Sequence, residues 1–97
     1  MPAFIILTNF TDQGVRSVKD TVKRAEKFKE LAKQSGATVK ELYWTLGQYD
    51  VVSVVEAPDL TSITALGLSL GMAGNVRTQT LPAFSAEDMA KVLAKVK

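Results

Sequence analysis

The chain contains neither cysteine nor histidine among its 97 residues. The lack of cysteine excludes disulfides and thiolate nucleophiles. Together the two absences exclude the usual zinc sites, Ser-His-Asp triads and histidine-ligated haem. Any catalysis would have to use carboxylates, Lys, Tyr, Arg, backbone groups or a borrowed cofactor. We therefore expect no metal site and no resident cofactor.

The chain also has no large excess of charge of either sign and no long apolar run. The formal net charge is only +2, whereas nucleic-acid-binding proteins concentrate many positive charges on one face. No stretch approaches the roughly 20 apolar residues of a membrane span. The apolar segment Ala3–Leu7 lacks the basic flank and cleavage site of a signal peptide, so it is interpreted as a strand. We expect a cytoplasmic protein without nucleic-acid or membrane partners.

What remains is the composition of an ordinary globular domain. Apolar residues make up 46% of the chain and charged residues 23%, which is typical of a folded protein. The length fits a single domain over residues 1–97. A chain this small has only a modest core and gains much from a partner.

The first strand is predicted over Ala3–Thr8, in the centre of a sheet. Both of its alternating sets are apolar, so the strand should be buried on both faces. One long helix is predicted next, with a capping box at Ser17 and Asp20, Thr11 as a competing earlier cap, and Gly36 as a left-handed end. Its apolar positions recur at helical steps: Val15, Val18, Val22, Ala25, Phe28, Leu31 and Ala32.

Two strands, Thr38–Leu46 and Tyr49–Glu56, are predicted to form a hairpin. Gly47-Gln48 suits a two-residue type II′ turn, which would place Leu46 opposite Tyr49. The same register places Trp44 opposite Val51 and Tyr43 opposite Val52. One face then carries Leu42, Trp44, Leu46, Tyr49, Val51 and Val55, and the other Val39, Tyr43, Val52 and Val54.

A second helix should begin at Pro58-Asp59 and end at Gly71 and Gly74. Its apolar set is Leu60, Ile63, Leu66, Leu68 and Leu70. An edge strand is expected over Asn75–Leu81 and is stopped by Pro82. Ser85 then caps a short terminal helix that is predicted to bury Met89, Val92, Leu93 and Val96.

The element order β-α-β-β-α-β, followed by a terminal helix, predicts an α+β, ferredoxin-like domain. Its four-stranded antiparallel sheet should have the spatial order 4-1-3-2, with both main helices on one side. The other sheet face would remain apolar and uncovered. A second copy packed on that face would give a homodimeric α/β barrel, so the expected partner is the chain itself.

Three segments resemble the GYD-domain family. They are Leu7–Gly14, the G-x-Y-D stretch Gly47-Gln48-Tyr49-Asp50, and Leu70–Phe84. The resemblance implies the dimeric α/β-barrel superfamily but no particular reaction. Relatives at superfamily level include cofactor-free monooxygenases, isomerases and haem enzymes, and the histidine ligand of the haem branch is missing here.

Several residues are candidates for a site. Tyr49 and Asp50 could act as a hydrogen-bond donor and a base, or they could pack and satisfy turn amides. Trp44 with Tyr49 could line an aromatic cavity or belong to an ordinary core, and Asn9 and Arg77 are candidates for its mouth.

Further groupings of polar residues also leave alternatives open. Gly71–Asn75 with Arg77 could hold an anion, although glycine turns after a helix are the simpler interpretation. Arg77 is expected to pair with Glu41 or Glu56. Three acids could bind a hard cation only if they converge: Glu41, Asp50 and Glu56.

Two functions follow from these residues. The first is a small-molecule-binding protein, for an aromatic ligand among others, or a cofactor-free enzyme with Tyr49 and Asp50 in its pocket. The alternative is an oligomeric assembly or regulatory module without catalysis. The sequence does not decide whether the protein is an enzyme.

Overall fold

A computed structural model describes residues 1–97. Four strands and four helices follow one another in the predicted order, except that two helices stand where one was predicted between the first two strands. The strands are β1 (Ala3–Phe10), β2 (Thr38–Trp44), β3 (Val51–Glu56) and β4 (Val76–Ala83). The helices are α1 (Asp12–Arg16), α2 (Thr21–Gln34), α3 (Leu60–Met72) and α4 (Ala86–Leu93), with a 3₁₀ turn at Val18–Asp20 between the first two.

The sheet has the spatial order β2-β3-β1-β4, and every neighbouring pair is antiparallel. This confirms the predicted ferredoxin-like topology and the central position of β1. Trp44 lies opposite Val51 and Tyr43 opposite Val52, as predicted.

The helices α2 and α3 cover one face of this sheet. Phe28 and Ala32 of α2 and Ile63 and Leu66 of α3 are buried there. They pack with strand residues into one core, completed by Phe4, Ile6, Ala37, Val55 and Ala57. The wider apolar set predicted for α3 is partly wrong, since Leu60 and Leu68 are exposed because they lie on the solvent side of the helix.

The first helical region is not the single helix that was predicted. Thr11 caps α1 through a hydrogen bond from Gly14 N–H to its hydroxyl, whereas neither Ser17 nor Asp20 makes a side-chain cap. The chain changes direction in the 3₁₀ turn before α2 begins. Three positions assigned to the apolar stripe are therefore exposed: Val15, Val18 and Val22.

A register shift in β2 corrects the predicted faces of the hairpin. The shift lies between Val39 and Glu41, where one extra residue interrupts the pairing with β3. Val39 consequently lies opposite Val55 and packs against the core, on the helix side rather than on the open side.

The hairpin turn is also longer than predicted. Residues 45–50 form a loop in which Thr45 N–H donates to the carbonyl of Asp50 over 2.8 Å. Leu46 is fully exposed and does not face Tyr49. The positive φ of 102° at Gly47 agrees with the expectation that glycine is needed in this turn.

The C-terminal part differs from prediction in two ways. Pro82 lies inside β4, opposite Phe4, because an edge strand tolerates a residue without an N–H. The helix α4 has the predicted capping box between Ser85 and Asp88. Its apolar side is nevertheless exposed, since α4 makes no extensive contact with the rest of the chain: Met89, Val92, Leu93 and Val96.

The segment that enters α1 is held against the segment that enters β4. The Thr11 hydroxyl donates to the carbonyl of Gly74 over 2.6 Å, and Thr11 N–H donates to the carbonyl of Asn75 over 3.1 Å. Gly14 is buried at this contact, and a Cβ there would overlap the carbonyl oxygen of Asn75. This position therefore requires glycine for space rather than for its backbone angles.

Replacing Gly14 by Ala should lower the free energy of unfolding by about 1–3 kcal/mol, because the backbone of Asn75 has to move. The matched control is Gly71→Ala in α3, where no atom lies within 4 Å of the new Cβ. That change should stabilise the chain by roughly 0.5–1 kcal/mol, since glycine is unfavourable inside a helix. Urea denaturation of both variants measures the difference, and equal stabilities would contradict the overlap.

Candidate functional site

Asp50 fastens the hairpin loop to the end of β1. Its N–H donates to the carbonyl of Thr8 over 2.9 Å, and its Oδ2 accepts the N–H of Phe10 over 2.8 Å. Both bonds continue the pairing of β1 beyond Val51, the first residue of β3. The carboxylate therefore accepts an amide at the end of β1, and not one of the amides of the hairpin turn that the structural interpretation of Asp50 assigned to it.

Tyr49 lies beside Asp50 but faces another part of the molecule. Its hydroxyl donates to Oε1 of Gln79 on β4 over 3.2 Å, so the side chain reaches across the end of β1. The carbonyl of Tyr49 accepts the hydroxyl of Thr45 over 2.6 Å. These contacts hold the loop, and no acid or base contacts the phenol.

Asn9 and Arg77 form a directly opposed pair on β1 and β4. Arg77 is exposed and has no carboxylate within 4 Å, so the predicted pairing with Glu41 or Glu56 is wrong. Glu41 instead accepts the hydroxyl of Tyr43 over 2.7 Å. This hydrogen bond raises the pKa of Tyr43 above its ordinary value, because it favours the protonated phenol.

Trp44 lies on the helix side of the sheet, away from the other four candidates. Its Nε1–H donates to the hydroxyl of Thr21 at the start of α2 over 3.0 Å. The indole lines a cavity of about 310 Å³ between the sheet and the helices, as the sequence analysis allowed. Tyr49 does not line this cavity, and the structure does not bring the five candidates into one pocket.

A residue that the sequence analysis missed, Arg24, also lines this cavity. Its Nη1 donates to the carbonyl and the hydroxyl of Ser17, and its Nη2 donates to the carbonyl of Gly14. The guanidinium carbon lies 5.9 Å from the ring centre of Phe10. Arg24 precedes Phe28 by four residues, and that spacing is the signal that would have placed it on the covered side of the helix.

The remaining groupings do not form sites of the kinds considered. The carbonyls of Ala73, Gly74 and Asn75 all accept hydrogen bonds from Thr11 or Gln13, so this segment presents carbonyls rather than free amides to its neighbour. The three acids considered for a cation do not converge, since no group of three or more metal-ligating side chains occurs. None of the helices has the length and apolar character needed to cross a bilayer.

The segments that carry the family resemblance meet around the end of β1, where Asp50, Thr11 and Asn75 make the contacts described above. The model of the GYD domain matches residues 4–93. The chain belongs to the GYD domain family. This confirms the resemblance seen in the sequence, and the match spans nearly all of this GYD domain.

Two proteins of Thermus thermophilus are similar to this GYD domain. One is named glutamine synthetase and cystathionine beta-lyase binding protein; it is 39% identical over 90 residues, which are 92% of this chain and 95% of that protein. The other is the crystal structure of TTHA0845, with a TM-score of 0.56 and 25% identity, covering 89% of this chain and 96% of that one.

Replacing Asp50 by Ala should cost about 1–3 kcal/mol of stability, because the N–H of Phe10 loses its acceptor. Asp50→Asn retains an acceptor oxygen and should cost less than half as much. Glu30→Ala, on the exposed side of α2, is the control and should stay within about 0.5 kcal/mol of the unchanged protein. Thermal unfolding measures all three, and an Asp50→Ala variant as stable as the control would refute a structural role.

Proposed function

We propose that this GYD domain is a non-catalytic binding protein that works as a homodimer and docks on metabolic enzymes. The observation that carries the proposal is the name of the relative from Thermus thermophilus, which describes binding to two enzymes. The relative and this chain match over almost their full lengths, so the proposal needs no additional domain. This corresponds to the alternative drawn from the sequence, an assembly or regulatory module.

The dispersal of the polar candidates supports a role without catalysis. The Asp50 carboxylate accepts the backbone N–H of Phe10, and the Tyr49 hydroxyl is hydrogen-bonded to the amide side chain of Gln79. General acid–base chemistry needs a titratable group within hydrogen-bond reach of a substrate. Neither residue lines the cavity that contains Trp44.

The uncovered sheet face supports the homodimer. Ile5 and Leu7 of β1 lie opposite Val54 and Val52 of β3, in the middle of that face. Tyr43 and Leu81 extend the apolar surface onto the two outer strands. No helix of the same chain covers it, and apolar area buried against a second copy contributes about 25 cal/mol per Å².

The helix α4 supports docking on another protein. Its apolar side, which includes Val92 and Leu93, is exposed, and the helix begins only three residues after the edge strand β4 ends. An amphipathic helix of this kind fits an apolar groove. In the proposed dimer the open sheet faces of the two copies pack against each other. The helix α4 then remains as the exposed apolar element that can bind an enzyme.

Val54→Glu should convert the dimer into a monomer, because it places a charge in the middle of the proposed interface. The matched control, Thr64→Glu, adds the same charge to the exposed side of α3 and should leave the dimer unchanged. Sedimentation velocity at about 10 μM distinguishes the two states. An unchanged protein that sediments as a single copy at that concentration would contradict the dimer.

Binding should be measured with glutamine synthetase and cystathionine beta-lyase from the protein's own source. We expect saturable binding to at least one of them by calorimetry. Leu93→Ser should weaken it by tenfold or more, since anchors of a docked helix dominate such contacts. Lys91→Ser, on the polar side of α4, should change it little, and sedimentation should find both variants dimeric.

Three results would count against this proposal. If neither enzyme binds the unchanged protein, the proposed function fails. If Leu93→Ser binds normally, α4 is not the docking element. If instead the Leu93→Ser variant becomes monomeric, α4 packs on the second copy rather than on an enzyme.

A further inference from the structure

The cavity between the sheet and α2 contains a charged group that the proposed function does not use. The guanidinium of Arg24 is half-buried there, and no carboxylate lies within 4 Å of it. The single ion pair of the structure joins Lys29 and Glu26 on the exposed side of α2. Arg24 is held only by uncharged oxygens of Gly14 and Ser17, so its positive charge is not neutralised.

Part of the guanidinium remains available for a ligand. An arginine has five N–H donors. Two on Nη1 and one on Nη2 are in use, which leaves Nε–H and the second hydrogen of Nη2. A carboxylate is the natural acceptor for such donors, because charge-assisted hydrogen bonds are about twice as strong as neutral ones.

The other walls of the cavity favour an apolar body on the ligand. Phe10, Phe28, Leu42 and Trp44 all line it, and Trp44 is partly exposed at 44%. The volume of about 310 Å³ lies at the small end of the range of roughly 300–1,000 Å³ that is common for ligand sites. It suits a molecule with one ring or a short branched chain.

Two hydroxyls in the cavity add polar contacts at its floor. Thr8 and Ser53 are only 8% and 2% exposed, and both line the cavity. Neither hydroxyl takes part in any of the side-chain hydrogen bonds formed within the chain. No side-chain nitrogen or oxygen of the chain is both fully buried and without a partner, so the two hydroxyls are open to the cavity, where a polar atom of a bound molecule can reach them.

We infer that this cavity binds a small carboxylic acid with an aromatic or branched apolar body. The carboxylate lies on Arg24, and the apolar body lies among Phe10, Phe28 and Trp44. This site is on the helix side of the sheet and is separate from both the open face and α4. It therefore stands independently of the proposed dimer and of enzyme docking.

The probe is 3-phenylpropionate, compared with its uncharged analogue 3-phenylpropanamide. Trp44 is the single tryptophan of the chain, so its fluorescence reports on the cavity directly. We expect a saturable fluorescence change with the acid and an affinity at least tenfold lower for the amide. Equal affinities, or no saturable change with the acid up to about 10 mM, a concentration at which even millimolar binding would be detected, would overturn the proposal.

Three variants locate the site. Arg24→Gln should weaken binding of the acid about tenfold or more, which is the loss expected for a hydrogen bond to a charged group. Arg16→Gln removes the same charge from the exposed end of α1 and should leave the affinity unchanged. Because Arg24 also holds the turn before α2, Ala25→Leu provides a second test: it adds volume at a lining position and should abolish binding.

The variants also define the contrary results. If Arg16→Gln weakens binding as much as Arg24→Gln, the acid responds to net charge and not to this site. If the folded Ala25→Leu variant binds normally, the ligand does not occupy the cavity. The Val54→Glu variant should bind the acid with unchanged affinity, so a failure of the dimer does not affect this test.

Discussion

The strand β1 pairs along both of its edges and carries apolar side chains on both of its faces, and the rest of the chain is arranged around it. β3 and β4 satisfy its backbone groups on either side. The helices α2 and α3 bury Phe4 and Ile6 on one face. The chain has no further element for Ile5 and Leu7 on the other face. This is the face that the second copy covers in the proposed dimer.

Polar contacts at the end of β1 complement this apolar centre. Asp50 extends the pairing of β1 beyond the first residue of β3, and Thr11 holds the segment that enters α1 against the entry of β4. Segments that are distant in the sequence therefore become adjacent around a single strand end. Their side chains contact the backbone: Asp50 accepts an amide N–H and the Thr11 hydroxyl donates to a carbonyl. Gly14 lies where no side chain fits. The segments that resemble the family thus share a structural role around this strand end.

The parts of the fold that repeat a simple pattern could be predicted from the sequence, and the parts that depend on local departures could not. Apolar side chains on both faces predicted β1 as a central strand, and the order of the elements with the rules of strand pairing predicted the sheet order. Two local features were not predicted, namely the register shift after Val39 and the six-residue loop before Val51. One residue more or less in a strand changes the apolar pattern of the sequence very little. The same limit applied to the site, because Arg24 could not be distinguished from the other charged residues of its helix. Periodicity also predicted that α4 would be buried, because an amphipathic pattern indicates a covered side without naming the molecule that covers it.

The helix α4 makes no extensive contact with the rest of the chain. The stability of the fold and the proposed binding to an enzyme therefore depend on different residues, whereas small proteins usually meet both demands with the same ones. The core that holds the sheet, α2 and α3 together contains none of the apolar side chains of α4. Substitutions at the exposed apolar positions of α4 should therefore leave the rest of the chain folded. With the docking proposed for α4, a chain of 97 residues can change the protein that it binds while the residues of its core stay the same.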